Sequence, residues 1–587
     1  MTNNLIFKSI LSLKSNGIKQ TIIKIIDYIC IKLKIYSYKK LFFISKKELN
    51  IQKSIIFPKK IKISIITPLY NTPKRFLCEL IKSVKNQTYG NWELCFADGS
   101  DSDYDYIIKI CEKYIKNDKR IKYKKLDKNY GISGNTNECY SLASGEYLCF
   151  LDHKDLLTPN ALYETVNAIC EYDAELIYCD EDKMNKYSTR FFEPCFKPDY
   201  APDYLRSINY IKHFLTIDKK LIERIDNFKS KFDGAQDYDF ILRASEQTNK
   251  IIHIPKILYH FRYNKVLNKN NEYKTIEAGR RAVEKHLERI SLNGTVEALY
   301  VPGTYRIHYN LTDTPLVSII IPNKDHINDL DKCLKSIKEK TTYKNYEILI
   351  IENNSKDNTT FEYYEKLKNE NNIKVIKYDE IFNYSKINNY AVKFTNGTQL
   401  IFLNNDTEVI TPNWIEEMLM YSQRKDVGIV SAKLYYPDYR IQHAGSVLGL
   451  NAIVDLIFYN YKKEDQGYLN RLITTQNYNA VIGACLMIEK KLFLNVNGFN
   501  EEFVIAFNDS DLCLKVREKG LLVVWTPFCE LFHYEGTSRG CNDTPEKKEI
   551  EYNERALFNS KWNKYWVNGD PYYNINLSKY NKYLKLI

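Results

Sequence analysis

The sequence lacks long apolar runs and any cysteine pattern typical of a metal or disulfide framework. No stretch of the 587 residues approaches the roughly 18–20 apolar residues that a membrane-spanning helix needs. The N-terminus lacks the uninterrupted apolar core of a signal peptide. None of the 14 cysteines forms a Cys-x-x-Cys pair, and most lie in apolar runs, as buried reduced thiols do. We therefore expect a cytoplasmic protein without a membrane channel of its own.

Concentrated positive charge is also missing from most of the chain. The net charge of +12 is modest for 587 residues, and lysines are interleaved with acids, unlike a nucleic-acid-binding patch. A content of 44% hydrophobic residues suits packed domains, and the length predicts two or three of them. These features predict a globular protein without a nucleic-acid partner.

Residues 1–60 form a basic leader in which only Asp27 and Glu48 are acidic. At helical spacing, one face of this segment collects Ile22, Ile26, Ile29, Leu33 and Tyr36. Two interpretations remain open. The helix either lies peripherally on an anionic membrane surface or packs against the first domain.

An internal repeat divides the rest of the chain. Residues 64–68 (Ser-Ile-Ile-Thr-Pro) match residues 318–322, and residues 92–98 match residues 346–352 at the same offset. A constant offset over two segments indicates a duplicated domain. We predict a first module at 61–300, a linker at 301–314, a second module at 315–545 and a C-terminal tail at 546–587.

Each module alternates short β-branched runs with amphipathic helical segments. In the first copy, strands at 61–67 and 94–97 flank a helix at 76–86. The second copy repeats this order. Such alternation predicts an α/β fold with a mostly parallel sheet flanked by helices.

Acidic residues end the second strand of each module, at Asp98 and Glu352. Ligands bind at the carboxyl ends of parallel strands, where a carboxylate can accept a hydrogen bond from a pyrimidine N–H. The alternative is a helix cap or turn. The matched position in both copies favours the binding role.

A later strand in each module ends in a polar cluster, Asp152-His153-Lys154-Asp155 in the first and Asn404-Asn405-Asp406 in the second. Carboxylates that follow a buried strand are costly unless they are paired or bind a cation. Oxygen ligands suit a divalent ion, which would bridge the diphosphate of a nucleotide-sugar.

Asp237 and Asp509 open predicted helices, and His260 and His533 follow strands that begin with proline. An Asp at a helix start is either a cap or a general base. Imidazole can complete a metal site, although a single histidine is more often structural. Again both modules carry the pattern.

Together these motifs resemble the inverting family-2 glycosyltransferases of the GT-A fold. They are most similar to tandem bacterial enzymes that build rhamnose-containing O-antigen, capsule or other surface glycans. The resemblance runs from about Leu5 to His533 and somewhat beyond. Its more specific marks are residues 91–95, 180–183, 236–239, 443–445, 483–485 and 538–540.

The resemblance implies roles for particular residues and partners. Asp509 and Asp237 would be catalytic bases; Glu352, Asn404, Asp98 and Asp152 would bind the nucleotide-sugar; Asp406, His533 and His260 would bind a metal. The implied cofactor is Mg²⁺ or Mn²⁺, and the implied donor is a UDP- or dTDP-sugar. The implied acceptor is a growing cell-surface glycan, with or without a lipid anchor.

One position departs from the family pattern. Lys154 stands where a metal-binding Asp is expected. Its ammonium either contacts the diphosphate in place of the ion, or Asp155 becomes the ligand instead. The second site is therefore expected to be the more complete one.

Two alternatives to catalysis by both modules follow. In one, only the second module is catalytic and the first docks the acceptor or regulates. The other is a nucleotidyltransferase, which needs a Gly-rich phosphate loop after the first strand. Residues 69–72 and 323–326 supply no such loop, so we disfavour it.

Overall fold

The computed structural model describes residues 44–263, 269–535 and 544–579. The amphipathic face at residues 22–36 and the motif at residues 538–540 lie outside the described residues. Helix α1 (Lys46–Ser54) belongs to a unit separate from the one that begins at Ile55. Both sheet-containing modules lie in the second unit, which begins at Ile55.

The first module contains nine strands in one sheet. Its strands are β1 (Ile63–Leu69), β2 (Trp92–Asp98), β3 (Ile121–Lys125), β4 (Tyr147–Phe150), β5 (Leu156–Leu157), β6 (Leu176–Met184), β7 (Phe191–Cys195), β8 (Thr216–Asp218) and β9 (Ile251–Arg262). Its helices are α2 (Lys74–Lys85), α3 (Tyr106–Asn117), α4 (Gly131–Tyr140), α5 (Ala161–Tyr172), α6 (Pro202–Ser207), α7 (Lys219–Ile225), α8 (Gln236–Ser245) and α9 (Lys269–Arg289). The strand order is β3-β2-β1-β4-β8-β6-β9-β5, with β7 paired to β6.

The second module repeats this plan in a ten-stranded sheet. Its strands are β12 (Val317–Asn323), β13 (Tyr346–Glu352), β14 (Ile373–Lys377), β15 (Gln399–Leu403), β16 (Thr407–Val409), β17 (Val427–Tyr435), β18 (Ile441–His443), β21 (Gln476–Tyr478), β22 (Cys485–Glu489) and β23 (Leu522–His533). Strands β19 (Ser446–Leu448) and β20 (Val454–Leu456) form a separate hairpin. The helices are α10 (Ile327–Lys340), α11 (Asn358–Leu367), α12 (Tyr384–Val392), α13 (Trp414–Ser422), α14 (Lys490–Asn495) and α15 (Asn508–Glu518). The order β14-β13-β12-β15-β22-β17-β23-β16 matches the first sheet position by position.

Burial explains why these segments become parallel strands. Every side chain of β2 is buried, and six of the seven in β13 are. Strands that are covered by helices on both faces need such continuous apolar sequence. Helix α2 covers one face with Leu77, Leu80, Ile81 and Val84, as its helical spacing predicts. The expected parallel-rich α/β fold is confirmed in both modules.

The segment between the modules contains regular structure that the sequence analysis missed. Strands β10 (Gly294–Ala298) and β11 (Tyr305–Tyr309) pair in antiparallel fashion, and β11 falls within the predicted linker. Arg306 of β11 pairs with the buried Glu417 of α13 and lies 4.1 Å from the centre of the Phe528 ring. Pro302 and Gly303 break the chain only at the turn of this hairpin.

A buried ionic cluster joins the two modules. The carboxylate of Asp203 in α6 accepts hydrogen bonds from Arg424 of the second module and from Arg206 of its own helix. Asn477 donates to Asp203 at 2.8 Å and accepts from its backbone N–H at 2.9 Å. Burial opposes ionisation, but the Arg424 and Arg206 guanidinium groups hold the pKa of Asp203 below its usual value. The modules are therefore joined by buried charged and polar groups that are stabilised by pairing with one another.

The C-terminal tail contacts both modules. After α16 (Pro545–Lys561) and α17 (Asn563–Asn568), Asp570 accepts from the backbone of Leu448 at 2.8 Å. Asn574 then donates to both carboxylate oxygens of Asp180, at 2.9 and 3.0 Å, in the first module. The described part of the tail therefore connects the two modules.

In the described residues, no helix combines the length and the apolar character that crossing a membrane requires.

Breaking the ionic cluster should destabilise the whole unit. We expect Arg424→Met to leave Asp203 under-compensated in a buried site and to lower the free energy of unfolding by about 3–5 kcal/mol. The matched control is Arg440→Met, because Arg440 pairs with Asp438 while both side chains are about half exposed, at 51% and 52%. Urea unfolding of the full chain measures both. Equal midpoints for the two variants would contradict the structural role of Arg424.

Candidate active site

Three neighbouring strands of the second module end at one edge of the sheet. The register of β12 and β13 places Asn323 beside Glu352, and β15 delivers Asn404 next to them. Asn405 donates to Asn323 Oδ1 at 2.6 Å, which ties the polar loop to the end of the central strand. The predicted nucleotide-binding residues of this module therefore lie along a common edge.

Glu352 has one carboxylate oxygen available for a ligand. Its Oε1 accepts the Ser355 backbone N–H at 2.6 Å, and the side chain is 3% exposed. In residues 44–263, 269–535 and 544–579, no group donates to its Oε2. A buried acceptor without a protein donor suits recognition of a ring N–H.

Asp98, its counterpart in the first module, is more fully occupied. Its Oδ1 accepts from the Ser100 backbone, while its Oδ2 accepts from Tyr123 Oη at 2.7 Å and from Lys125 Nζ at 3.4 Å. A base at this position would have to displace one of these donors. The two matched acids therefore differ in their capacity to bind a nucleotide.

Asp406 and His533 meet at the end of β23 in a geometry that fits a divalent cation. His533 Nδ1 lies 2.7 Å from Gln442 Oε1, and the Gln442 amide nitrogen donates to Glu535, which fixes the amide orientation. The Nδ1 proton is thus committed to Gln442, so Nε2 presents a lone pair. Nε2 lies 3.2 Å from Asp406 Oδ1. Two converging electron-pair donors, with the histidine oriented by an amide, form a suitable partial ligand set.

The protein supplies only part of a coordination shell. Asn404 Nδ2 contacts His533 Nε2 at 3.1 Å. No cluster of three or more His, Cys, Asp and Glu side chains suited to metal binding occurs among the described residues. Further oxygen ligands would have to come from a bound substrate, as Mg²⁺ commonly requires in phosphate-binding sites.

Asp509 lies in the first turn of helix α15. Its Oδ2 accepts the Gly483 backbone N–H at 2.8 Å, and its Oδ1 accepts the Ser510 N–H at 2.6 Å. Desolvation raises the pKa of Asp509 above its ordinary value, although these backbone donors oppose the shift. A carboxylate with a raised pKa and fixed geometry can act as a general base.

A cavity of about 300 Å³ brings these groups together. Asn404, His533, Gly483 and Asp509 line it, along with Asp455 of the β19–β20 hairpin. Asp455 and Gln442 were not predicted as site residues, since neither stands in a repeated motif. The motifs at 443–445 and 483–485 pointed to this region without indicating a role for its neighbours.

His443 positions the loop that precedes β22. It is fully buried, and burial lowers its pKa to about 4, so the imidazole is neutral. Its Nδ1 donates to the Ala432 carbonyl at 3.1 Å, and its Nε2 accepts from the Ile482 N–H at 3.4 Å. His443 therefore supports the loop whose next residue, Gly483, holds Asp509.

The first module differs at the metal position beyond the Lys154 substitution. In the second sheet Thr407 lies opposite His533, whereas in the first sheet Leu156 lies opposite His260. In the repeat, Asp155 stands at the position of Thr407. Continuing the β5–β9 register by one residue places Phe261 opposite Asp155, so Phe261 is the counterpart of His533. The predicted equivalence of His260 and His533 is wrong by one residue. Adjacent residues of a strand point to opposite faces, so His260 does not occupy the His533 position.

His260 has a different partner. Its Nδ1 contacts Asp182 Oδ1 at 2.5 Å, and its ring packs 4.4 Å from the ring of Phe191. The spacing from the preceding proline held the signal for this difference. His533 stands six residues after Pro527, but His260 stands five residues after Pro255.

Asp155 is also not arranged as a replacement ligand. It accepts from Tyr259 Oη at 2.6 Å and from the Arg262 N–H at 2.7 Å, and burial raises its pKa to about 7. Asp152 has a 42% exposed side chain whose Oδ1 accepts the Lys154 N–H. Neither residue reproduces the Asp406–His533 pair.

The helix-start acid of the first module also has altered surroundings. Asp237 Oδ2 accepts from Asn209 at 3.1 Å instead of from a loop backbone. The registers of β4 with β8 and of β15 with β22 make Lys212 the counterpart of Gly483. Two lysines, Lys154 and Lys212, thus replace a carboxylate and a glycine of the second site.

These differences predict one strong Mn²⁺ site per chain. With UDP present to supply phosphate oxygens, we expect Asp406→Asn to weaken Mn²⁺ binding at least about tenfold, because even groups that only orient a metal ligand commonly contribute that much. Lys154→Ala is the matched control and should leave the affinity unchanged. Electron paramagnetic resonance of free Mn²⁺ gives both values in the full chain. Unchanged binding in Asp406→Asn would remove this residue from the site.

Sequence comparisons place the repeat in a known family. The model described as "Glycosyl transferase family 2" matches residues 64–226 and 318–495, which is more than half of the chain. The protein y4gI of Sinorhizobium fredii is 41% identical over 88% of this chain and 57% of its own length. The O-antigen biosynthesis protein RfbC of Myxococcus xanthus is 33% identical over 88% of this chain and 40% of its own length.

The chain thus spans about half the length of these curated relatives. Among solved structures, Staphylococcus aureus TarS 1–349 in complex with UDP-GlcNAc aligns over 39% of this chain and 66% of its own, with 20% identity and a TM-score of 0.33. Each family match begins within the first strand of one sheet and includes the strand-end acid of its module. The chain therefore belongs to glycosyltransferase family 2 and carries two modules of that family in tandem.

Proposed function

We propose that the second module transfers a sugar from a UDP- or dTDP-sugar to a growing glycan with inversion at the anomeric carbon. The observation that carries this proposal is the convergence of Glu352, Asp406, His533 and Asp509 at one edge of the second sheet. The name of the Myxococcus xanthus relative, an O-antigen biosynthesis protein, supports a surface polysaccharide as product.

Each group has a role that its contacts allow. The available Oε2 of Glu352 accepts an N–H from the pyrimidine base. Asp509 takes the proton from an acceptor hydroxyl, whose oxygen attacks the anomeric carbon as the bond to the diphosphate breaks. Asp406 and His533 would hold Mg²⁺ or Mn²⁺, which when bound neutralises the departing diphosphate. The attacking hydroxyl and the leaving diphosphate lie on opposite sides of the anomeric carbon, so a single displacement inverts the configuration of that carbon.

We further propose that the first module does not catalyse transfer by this route. Lys154 and Phe261 replace both protein metal ligands, and the oxygens of Asp98 are occupied by protein donors. A module of the same fold without that ligand set suits acceptor docking or regulation. Its cationic groups, Lys154 and Lys212, would favour an anionic ligand there.

Substituting the two helix-start acids separates these proposals. We expect Asp509→Asn in the full chain to reduce transfer by about 10²–10⁴, the usual contribution of a general base, while UDP binding persists. Asp237→Asn is the matched control and should retain most activity. The assay is nucleotide release from UDP- and dTDP-sugars with a glycan acceptor. Comparable losses in both variants would assign catalysis to both modules, and no loss in Asp509→Asn would exclude it as the base.

The pH dependence should follow the environment of Asp509. A base acts only when ionised, so activity is present above its pKa and lost as pH falls through it. Since burial raises the pKa of Asp509, the acidic limb of kcat/KM should lie above the usual range of an aspartate. A pH profile of the full chain measures this limb. A limb at the ordinary aspartate value would contradict the assignment.

A further inference from the structure

A second cavity lies between the β19–β20 hairpin and the C-terminal helices. Its volume is about 540 Å³, within the range of pockets that hold small organic ligands. Leu448 and Gly449 of the hairpin line one side, and Asn559, Asn563, Tyr565 and Trp566 contribute to the other. We call this cavity the tail groove. It shares no lining residue with the cavity around Asp509.

The tail groove is supported by a packed apolar layer. Leu448, Phe558 and Trp562 belong to a buried cluster against which Tyr565 and Trp566 pack. The indole Nε1 of Trp566 donates to the Asn559 carbonyl at 3.2 Å, which fixes the orientation of the ring. Trp566 is only partly buried, so part of this fixed ring remains accessible. The groove is a preformed surface with a held aromatic side chain.

The chemistry of the lining suits a sugar chain. A pyranose ring has C–H groups that pack on an aromatic face and hydroxyl groups around its rim. Aromatic rings with a few neutral amide and hydroxyl groups, here Asn559, Ser560 and Asn563, complement both features. Lys579 is the charged residue among the lining groups, and no acid accompanies it. Neutral and acidic sugars are therefore both compatible.

One hairpin connects this groove to the catalytic cavity. Ser446, Asp455 and Leu456 line the cavity around Asp509, whereas Leu448 and Gly449 line the tail groove. Ser446 and Leu448 are the two ends of strand β19, about 7 Å apart at the usual rise per residue. That separation is comparable with one or two sugar units, so the hairpin brings residues of the two cavities within the span of a short oligosaccharide.

We propose that the tail groove binds acceptor sugar units behind the residue that is being extended. This inference rests on the proposed transferase function, and it adds a second acceptor subsite built by the C-terminal helices. Binding several units of the growing chain would favour longer acceptors over short ones. The tail would thereby serve both the connection of the modules and the recognition of the product chain.

Intrinsic fluorescence can test the groove directly. The chain has five tryptophans, and Trp92, Trp414, Trp525 and Trp562 are each at most 2% exposed. Trp566 is therefore the one that a ligand can reach. The full chain would be titrated, without donor, with hexasaccharides of glucose, rhamnose, N-acetylglucosamine and alternating N-acetylglucosamine–glucuronate. We expect a saturable emission change with at least one of them, and Trp566→Phe should abolish that change.

A matched pair of substitutions on α16 tests the location. Ser560→Phe fills the groove from an exposed position and should weaken the oligosaccharide about tenfold, the equivalent of one lost aromatic contact. Asn553→Phe adds a phenyl ring at another exposed position, which does not line the groove and lies about 10 Å away along the helix. It should not change the affinity. The absence of an emission change with every hexasaccharide, or equal effects of the two variants, would overturn the proposal.

Kinetics keep this result separate from the transferase proposal. In the wild type KM should fall as the acceptor lengthens, and Ser560→Phe should remove that dependence without lowering kcat. Saturable binding without any transfer would leave the groove intact and reject the proposed function. Transfer with a KM that does not depend on acceptor length would reject the groove alone.

Discussion

The buried pairing of Asp203 with Arg424 is the contact on which the tandem arrangement depends. Both side chains are at most 3% exposed, and each would be costly to bury alone. Because the acid comes from the first module and the guanidinium from the second, this pairing exists only while the two modules are in contact. The described residues from Ile55 to Lys579 accordingly belong to one compact unit. Functional differences between the modules are therefore best tested in the full chain.

The polar edges of the two sheets differ at two matched positions. In the second module Asp406 is 4% exposed and lies against His533. In the first module Lys154 is exposed to solvent, and Phe261 replaces the histidine position. Each change removes one of the two electron-pair donors that face each other in the second module. The two changes together are consistent with a fold that remains stable while one site loses its ligands.

Sequence patterns predicted those parts of the fold that depend on local periodicity and repetition. The duplicated strands, the parallel-rich sheets and the acids at strand ends all follow from spacing that a sequence shows directly. The position of His260 was mispredicted although the sequence carried the signal, since His260 stands five residues after Pro255 whereas His533 stands six residues after Pro527. The role of Asn574 does not follow from spacing, because its partner Asp180 lies almost four hundred residues earlier in the chain. Contacts of that kind have no local signature.

The cavity around Asp509 also shows that similar motifs can belong to unequal sites. Asp237 and Asp509 stand in similar sequence. The backbone N–H of Gly483 donates to Asp509, whereas the side chain of Asn209, three residues before Lys212, donates to Asp237. A Cβ at Gly483 would lie 3.4 Å from Asp509 Cβ and 3.3 Å from Tyr384 Oη, so a side chain there would crowd the acid. The counterpart position in the first module carries the long side chain of Lys212. The geometry around an acid, more than the acid itself, therefore distinguishes the two modules.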